Sequence, residues 1–295
     1  MITMGSMVYS CPFVPAEWIA AHGLHPRRIR PRSPGCVQAG VCPYARAFVG
    51  AVLADDRACG VIVTTVCDQM RRAADVLVLE GRVPVFLMHV PTTWQTPAAQ
   101  RYYLDELRRL GRFLTRLGGA PPSDDALAKV MLDYDEARSS AASAGAGQGV
   151  PLALLGGPLF EDECGLFDLV EDAGGRIVLD ASETGERTRP APFDRRRLRE
   201  EPLLELADAY FGHIPDAFRR PDGELHVWLA RELDRRLVRG IVFRRCVWCD
   251  TWAAELGRLK EWVKVPVLDL DADGGDRASR DRTAGRLRAF VEMLT

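Results

Sequence analysis

Two Cys-Asp pairs raise the first chemical question. Cys67-Asp68 follows the β-branched run Val61-Ile-Val-Thr-Thr65, and Cys249-Asp250 ends the stretch Arg244-Arg-Cys-Val-Trp-Cys-Asp250, which follows Gly240-Ile-Val-Phe243. In both places a strand-like run gives way to helical spacing directly after the cysteine. Backbone N–H groups at a helix start favour a thiolate. Cys42 opens Cys-Pro-Tyr-Ala-Arg-Ala-Phe48, where Pro43 suits the first helical position, so a third sulfur belongs at a helix start. Three thiolates so placed make a site for a cationic or electron-accepting metal cluster, if the fold brings them together.

The chain has 8 cysteines, more than packing requires. A reducing compartment argues against a disulfide framework, which leaves metal, redox chemistry or burial. Cys59 precedes a strand and Cys164 lies in a helical segment, so both are expected to pack in a core. Cys11 and Cys36 sit in Pro/Gly-rich loops, where ligand and bystander roles are both open. Cys246 and Cys249 form a CxxC. Zinc would need two further ligands, and neither a second CxxC nor paired histidines is present. A thioredoxin-type dithiol stays open, because a strand precedes the pair and a helix follows it. The histidines (His22, His25, His89, His213, His226) include no i, i+4 pair, so histidine ligation is not expected. Gly156-Gly157 lacks both phosphate-loop spacings and reads as a tight turn.

The elements that must position these sulfurs follow from hydrophobic period. Val61 to Thr65 and Val83 to Val90 read as strands. Met70, Ala73, Ala74 and Leu77 mark one helix; Tyr103, Leu107, Leu110 and Leu114 mark another, over 102–117. This βαβα rhythm implies a parallel sheet covered by helices. It returns with strands at Pro151–Leu155, Arg176–Asp180, Gly240–Phe243 and Pro266–Leu270, and helices over 162–173, 251–263 and 280–294. The Ala/Gly/Ser stretch between them has no apolar period. Residues 1–138 and 151–295 are therefore expected to form two α/β domains joined by a flexible connector, 139–150. Sheets of this kind bind ligands beyond the carboxyl ends of their strands.

With 39 basic and 41 acidic side chains the net charge is -2, which points away from nucleic acid and from an anionic membrane surface as partners. The run Asp194-Arg-Arg-Arg-Leu-Arg199 reads as a solvated helix face. No apolar run approaches the roughly 20 residues of a bilayer span, and the opening residues lack the zones of a secretion signal. A cytoplasmic location is the expectation.

In order along the chain, these residues resemble the family of 2-hydroxyacyl-CoA dehydratase and benzoyl-CoA reductase subunits, which includes the double-cubane cluster proteins. Ser10-Cys-Pro-Phe-Val-Pro-Ala-Glu17 through Pro26 is similar to the family's opening. Cys42-Pro-Tyr-Ala-Arg46 resembles its cysteine-to-arginine helix start, and Thr65-Val-Cys-Asp-Gln-Met-Arg-Arg72 its "CD…R" turn. Gly156-Gly-Pro158, Asp168 to Gly175, Trp248-Cys-Asp250 and Arg282-Thr283 follow in the family's order.

The resemblance implies two Rossmann-like (flavodoxin-like) parallel-sheet domains with an iron–sulfur cluster in the cleft between them. It implies a [4Fe-4S] cluster held by Cys42, Cys67 and Cys249, with Cys246 as the alternative to the last. The family's chemistry uses an ATP-dependent iron–sulfur activator protein and an acyl-CoA thioester, and works with a homologous subunit or a second copy. Counting Cys11, Cys36, Cys42, Cys67, Cys246 and Cys249 gives six loop thiols, the number that holds an [8Fe-9S] double cubane in the reductases of small molecules. A shortened scaffold or assembly protein is a further alternative. Leu132-Asp-Tyr-Asp-Glu-Ala-Arg138 resembles a family helix normally followed by a long helical arm, and here only the short connector follows. Arg46, Arg71 and Arg72 are expected on helix faces, with neutralisation of cluster charge as the other role.

Overall fold

The computed structural model describes residues 5–35, 38–140, 148–272 and 277–295. The first half runs β1 (Ser6–Tyr9), α1 (Ala16–Ala21), β2 (His25–Arg28), α2 (Pro43–Leu53), β3 (Ala58–Thr64), α3 (Asp68–Glu80), β4 (Val85–Met88), α4 (Pro97–Arg116) and α5 (Asp124–Ser140). The second runs β5 (Val150–Gly156), α6 (Gly165–Asp172), β6 (Gly175–Ala181), α7 (Arg197–Glu200), α8 (Pro202–Ala207), α9 (Gly223–Arg235), β7 (Gly240–Cys246), α10 (Asp250–Trp262), β8 (Val267–Ala272) and α11 (Arg277–Leu294). Each half holds a four-stranded parallel sheet, ordered β2-β1-β3-β4 and β6-β5-β7-β8. The chain is a two-domain α/β protein.

Strand periodicity explains how the helices cover both faces. On β7, Ile241 and Phe243 pack with residues of α9 and α10, while Val242 packs with residues of α6 and α11. In the first sheet, Val8, Val61 and Val63 meet Phe48 and Val52 of α2 and Ala74 and Leu77 of α3. Met7, Tyr9 and Ile62 face the opposite core, with Ile19, Leu107 and Leu110. In both sheets the order reverses beside the first strand, so the β1/β3 and β5/β7 ends open as crevices at their carboxyl edges. Gly156 closes β5 at φ 148°, and a Cβ there would lie 1.7 Å from the Arg244 carbonyl oxygen, so only glycine allows β5 and β7 to stay this close.

The structure departs from the sequence expectation at several points. β1 and β2 were not expected. β2 is an edge strand of sequence His-Pro-Arg-Arg and β1 is only four residues long, so neither shows a readable alternation. β7 runs on to Cys246, which places that sulfur on the strand instead of in the following turn. The expected helix over 162–173 opens with a 3₁₀ turn at Glu161–Cys164. Of the expected connector, Ser139 and Ser140 close α5, Val150 opens β5, and residues 141–147 lie outside the described residues.

The chain between β6 and α9 crosses to the other half. Phe193, Leu198, Leu206, Phe211 and Phe218 pack into the core of the first sheet, with Phe211 stacked on Tyr103 at 4.7 Å between centroids. A π-helical turn, Asp208–Gly212, carries Tyr210 and Phe211 into that core. The halves are also tied by Arg28, which donates to the Ser10 carbonyl (2.8 Å) and the Glu183 carbonyl (2.7 Å). Ser33 N donates to Asp162 at 2.8 Å, and Trp94 Nε1 donates to the Pro221 carbonyl at 3.1 Å.

A buried ion network anchors the crossing. Glu17 is 0% exposed and accepts from Arg138 of α5 and, at 2.7 Å, from the Tyr210 hydroxyl. Removing one partner of a buried pair strands the other in low dielectric. Glu17→Ala is expected to cost about 3–5 kcal/mol in chemical denaturation, and Tyr210→Phe about 1 kcal/mol. Equal, small losses in both would mean that the network does not tie the crossing down.

Candidate functional site

A cleft of about 760 Å³, open solvent at its mouth included, is lined from both halves. The first half contributes Ser10 to Phe13 after β1, Cys42, Tyr44 and Ala45 at the start of α2, and Thr64, Val66, Cys67 and Met70 around the end of β3. The second contributes Gly157 and Pro158 after β5, Glu183 after β6, Cys246, Cys249, Thr251 and Trp252 around the β7–α10 turn, and Asp216 and Phe218 from the crossing segment. Five of the candidate ligands, Cys11, Cys42, Cys67, Cys246 and Cys249, therefore share one cleft. Cys36 lies outside the described residues.

The seam is apolar. Tyr44, Phe160 and Cys246 form a buried cluster with Cys42, Met70 and Cys249 around it, and the Tyr44 and Phe160 rings sit 5.6 Å apart. Burial decides the state of most of these thiols. It pushes Cys11 and Cys249 up to about 12, and it raises Cys67 although Met70 N donates to its sulfur at 3.3 Å. The helix starts supply N–H groups as expected, but desolvation outweighs them. Cys42 alone among these five is lowered, chiefly by a hydrogen bond from the Cys246 thiol, and Cys246 is raised in return. Buried thiols of this kind ionise only when a cation or another positive charge compensates them.

Arg244 lies behind this group. It is 2% exposed and donates to Cys246 Sγ at 3.4 Å, to the Pro158 carbonyl at 2.5 Å and to Glu163 at 2.5 Å. Arg187, also buried, pairs with Asp216 at 2.6 Å and lies over the Trp252 ring. No three of the cleft sulfurs fall within 4.8 Å of one another. Among the described residues the only such group of His, Cys, Asp or Glu is Asp222, His226 and Glu255, none of which lines the cleft. There Asp222 is already paired with Arg220 and Arg258, and His226 lies 2.5 Å from Glu255.

Two sequence expectations are corrected. Cys164 is exposed, because its 3₁₀ turn lies on the surface. Cys59 lies within β3 and is half-buried, its thiol 3.7 Å from the Met7 sulfur, so it does not precede the strand. Arg71 and Arg72 are exposed on α3, within 3.3 Å of Asp68 and 3.5 Å of Asp75 respectively, which fits a helix-face role. Sequence reasoning missed Glu183, Asp216 and Arg244. Glu183 and Arg244 lie near the carboxyl ends of β6 and β7, and a search of those ends for charged residues as well as cysteines would have found them.

Two parallel sheets that present five thiols to a common cleft define a two-domain α/β protein with a soft-donor site. The chain belongs to the family of the 2-hydroxyglutaryl-CoA dehydratase D-component, whose profile matches residues 11–146 and 140–294. That family is one of dehydratase subunits. No curated protein matches the sequence. Among solved structures, the SBP FpvC from Pseudomonas aeruginosa in complex with Mn2+ aligns at 13% identity and a TM-score of 0.25, covering 99% of this chain and 98% of that one. The laminin-binding protein Lbp of Streptococcus pyogenes aligns at 12% identity and a TM-score of 0.24, covering 99% and 100%. Likeness at this level carries no argument. Among the described residues no helix is long and apolar enough to cross a membrane.

Glu183 and Asp216 are the two carboxylates of the cleft lining, and only Glu183 is not salt-bridged to an arginine among the described residues. Its backbone is pinned: its N–H donates to Gly157, and its carbonyl accepts from Arg28 and from Thr188 at 2.8 Å. Burial first, then Asp216, push its carboxyl up from 4.5 to about 7, against the pull of Arg28, Arg187 and Arg244. The folded chain thus holds this proton more tightly than the unfolded chain does. Stability from this group is full below about pH 4.5 and is lost as pH rises towards about 7. Glu183→Gln should gain on the native protein by roughly 1–3 kcal/mol between about pH 5 and about pH 8. A difference that stays flat across urea titrations at those pH values would show that the carboxyl is not held neutral.

Proposed function

We propose that this chain is the cluster-bearing subunit of a 2-hydroxyacyl-thioester dehydratase, reduced by an ATP-dependent iron–sulfur activator and working beside a homologous subunit or a second copy. The observation that carries the reading is the meeting of Cys42, Cys67, Cys246 and Cys249, drawn from three distant stretches of sequence, in one apolar cleft of a dehydratase-family fold. All-thiol donor sets suit zinc, copper(I) or iron–sulfur groups. Zinc at about 2.3 Å from each sulfur would need sulfurs roughly 4 Å apart. The cleft sulfurs do not gather in threes within 4.8 Å, so they are not set for a mononuclear zinc site as they stand. A [4Fe-4S] cluster would be held by three of these four thiolates; when bound, it supplies low-potential electron transfer and a Lewis-acidic iron.

The protein's own share can be read from the walls. Phe13, Tyr44, Phe218 and Trp252 line the cleft with hydrocarbon and exclude water from the reacting groups. The raised carboxyl of Glu183 in the cleft lining can carry a proton near neutral pH, the kind of group that would protonate a departing hydroxyl. The Arg187–Asp216 pair fixes the floor beneath Trp252. Cys11, the fifth thiol of the lining, favours a second reading, a double-cubane [8Fe-9S] reductase of small molecules.

Metal analysis tests both. Anaerobically purified protein should hold about four iron and four labile sulfide per chain, or about eight iron for the double form. Cys42→Ser and Cys67→Ser should each lose most of the iron, while Cys59→Ser and Cys164→Ser keep it. A colourless protein with a reversible Cys246–Cys249 disulfide would overturn the reading. So would an iron-loaded protein that no ATP-dependent activator can reduce.

A further inference from the structure

We propose that Arg244 is a positioning residue that sets the electron affinity of the thiol-bound group, with Glu163 metering how much of its charge reaches the sulfurs. The proposal deepens the reading above and rests on it. Arg244 ends in two directions: one nitrogen donates to Cys246 Sγ at 3.4 Å, and another donates to Glu163 at 2.5 Å. Cys246 in turn packs in one buried cluster with Cys42. A single line of contacts therefore runs from the Glu163 carboxylate through the guanidinium to two of the candidate ligands.

The surroundings make this charge effective. Arg244 is 2% exposed, its ring neighbour is Phe160 at 5.4 Å, and its remaining bond at this end goes to the Pro158 carbonyl. Solvent ions do not screen a charge so enclosed. Glu163 pairs with the guanidinium at 2.5 Å, and an arginine side chain keeps its charge at any working pH. An N–H donor and a positive charge at a ligand sulfur stabilise the more negative, reduced state of the group that sulfur holds. Glu163 is the more exposed partner, at 24%, and it faces the guanidinium from outside the cleft. Neutralising Glu163 leaves more of the positive charge uncompensated at Cys246; neutralising Arg244 removes it.

The two ends of the line therefore act with opposite sign, which a purely structural ion pair would not do. The test compares full-length native protein, Arg244→Gln, Glu163→Gln and the double variant, each reconstituted anaerobically with iron and sulfide. The measurement is the midpoint potential by spectroelectrochemistry. Arg244→Gln should move the midpoint to more negative potential and Glu163→Gln to more positive, with the double variant between them. Single variants that move together, or not at all, overturn the proposal. If Arg244→Gln does not fold, Glu163→Gln alone decides it, since an unchanged midpoint there is equally fatal. A native protein that takes up no iron and sulfide sinks the cluster reading by itself. This proposal falls with it, whereas a loaded native protein whose single variants do not separate in opposite directions overturns this proposal alone.

Discussion

Everything about this site depends on how thiols behave when a protein surrounds them with hydrocarbon. A thiolate in such a place is costly, and a helix start returns only part of what desolvation removes. Cys67 shows the balance: it caps α3 and accepts from Met70 N, yet burial still raises it. A cleft built this way is poorly suited to free thiolates and well suited to thiolates shared with a cation. Cys42, the one lowered thiol of the five, is the sulfur best placed to ionise without such a cation.

Buried charge follows a parallel rule. Arg187, Arg219 and Arg244 are among the largest fully buried side chains, and each is compensated differently. Arg187 has Asp216, and Arg244 has Glu163 together with a sulfur. Arg219 lies among the rings of Phe13, Trp94 and Phe211 and is lowered to about 10 by burial. Two of these arginines border the cleft through their partners, so the cost of burying them and the shape of the site are one problem.

The crossing segment links stability to function. It leaves the second sheet after β6, packs Phe193 to Phe211 into the first core, and returns past Asp216 and Phe218, which line the cleft. Relative motion of the two halves would have to break the Tyr103–Phe211 stack and the Glu17 network. Residues far from the sulfurs in sequence thereby hold the two thiol-bearing sheets at a fixed separation.

The sequence by itself determined the local elements with strong period: β3 to β8, α3, α4 and α10 follow from apolar spacing that any environment would respect. It also singled out Cys42, Cys67 and Cys249, because proline at a helix start and a strand-to-helix turn are local signals. It could not reveal β2, whose four residues carry no apolar alternation, nor the destination of residues 193–218, whose apolar groups suit either core. Whether Cys246 stood in a turn or on a strand depended on how far β7 stays paired with β8. Only the tertiary structure decided that Glu183 lines the cleft beside the thiols and that Arg244 touches Cys246. Desolvation and charge pairing are sums over groups distant in sequence, and they acquire values only when the two sheets have come together.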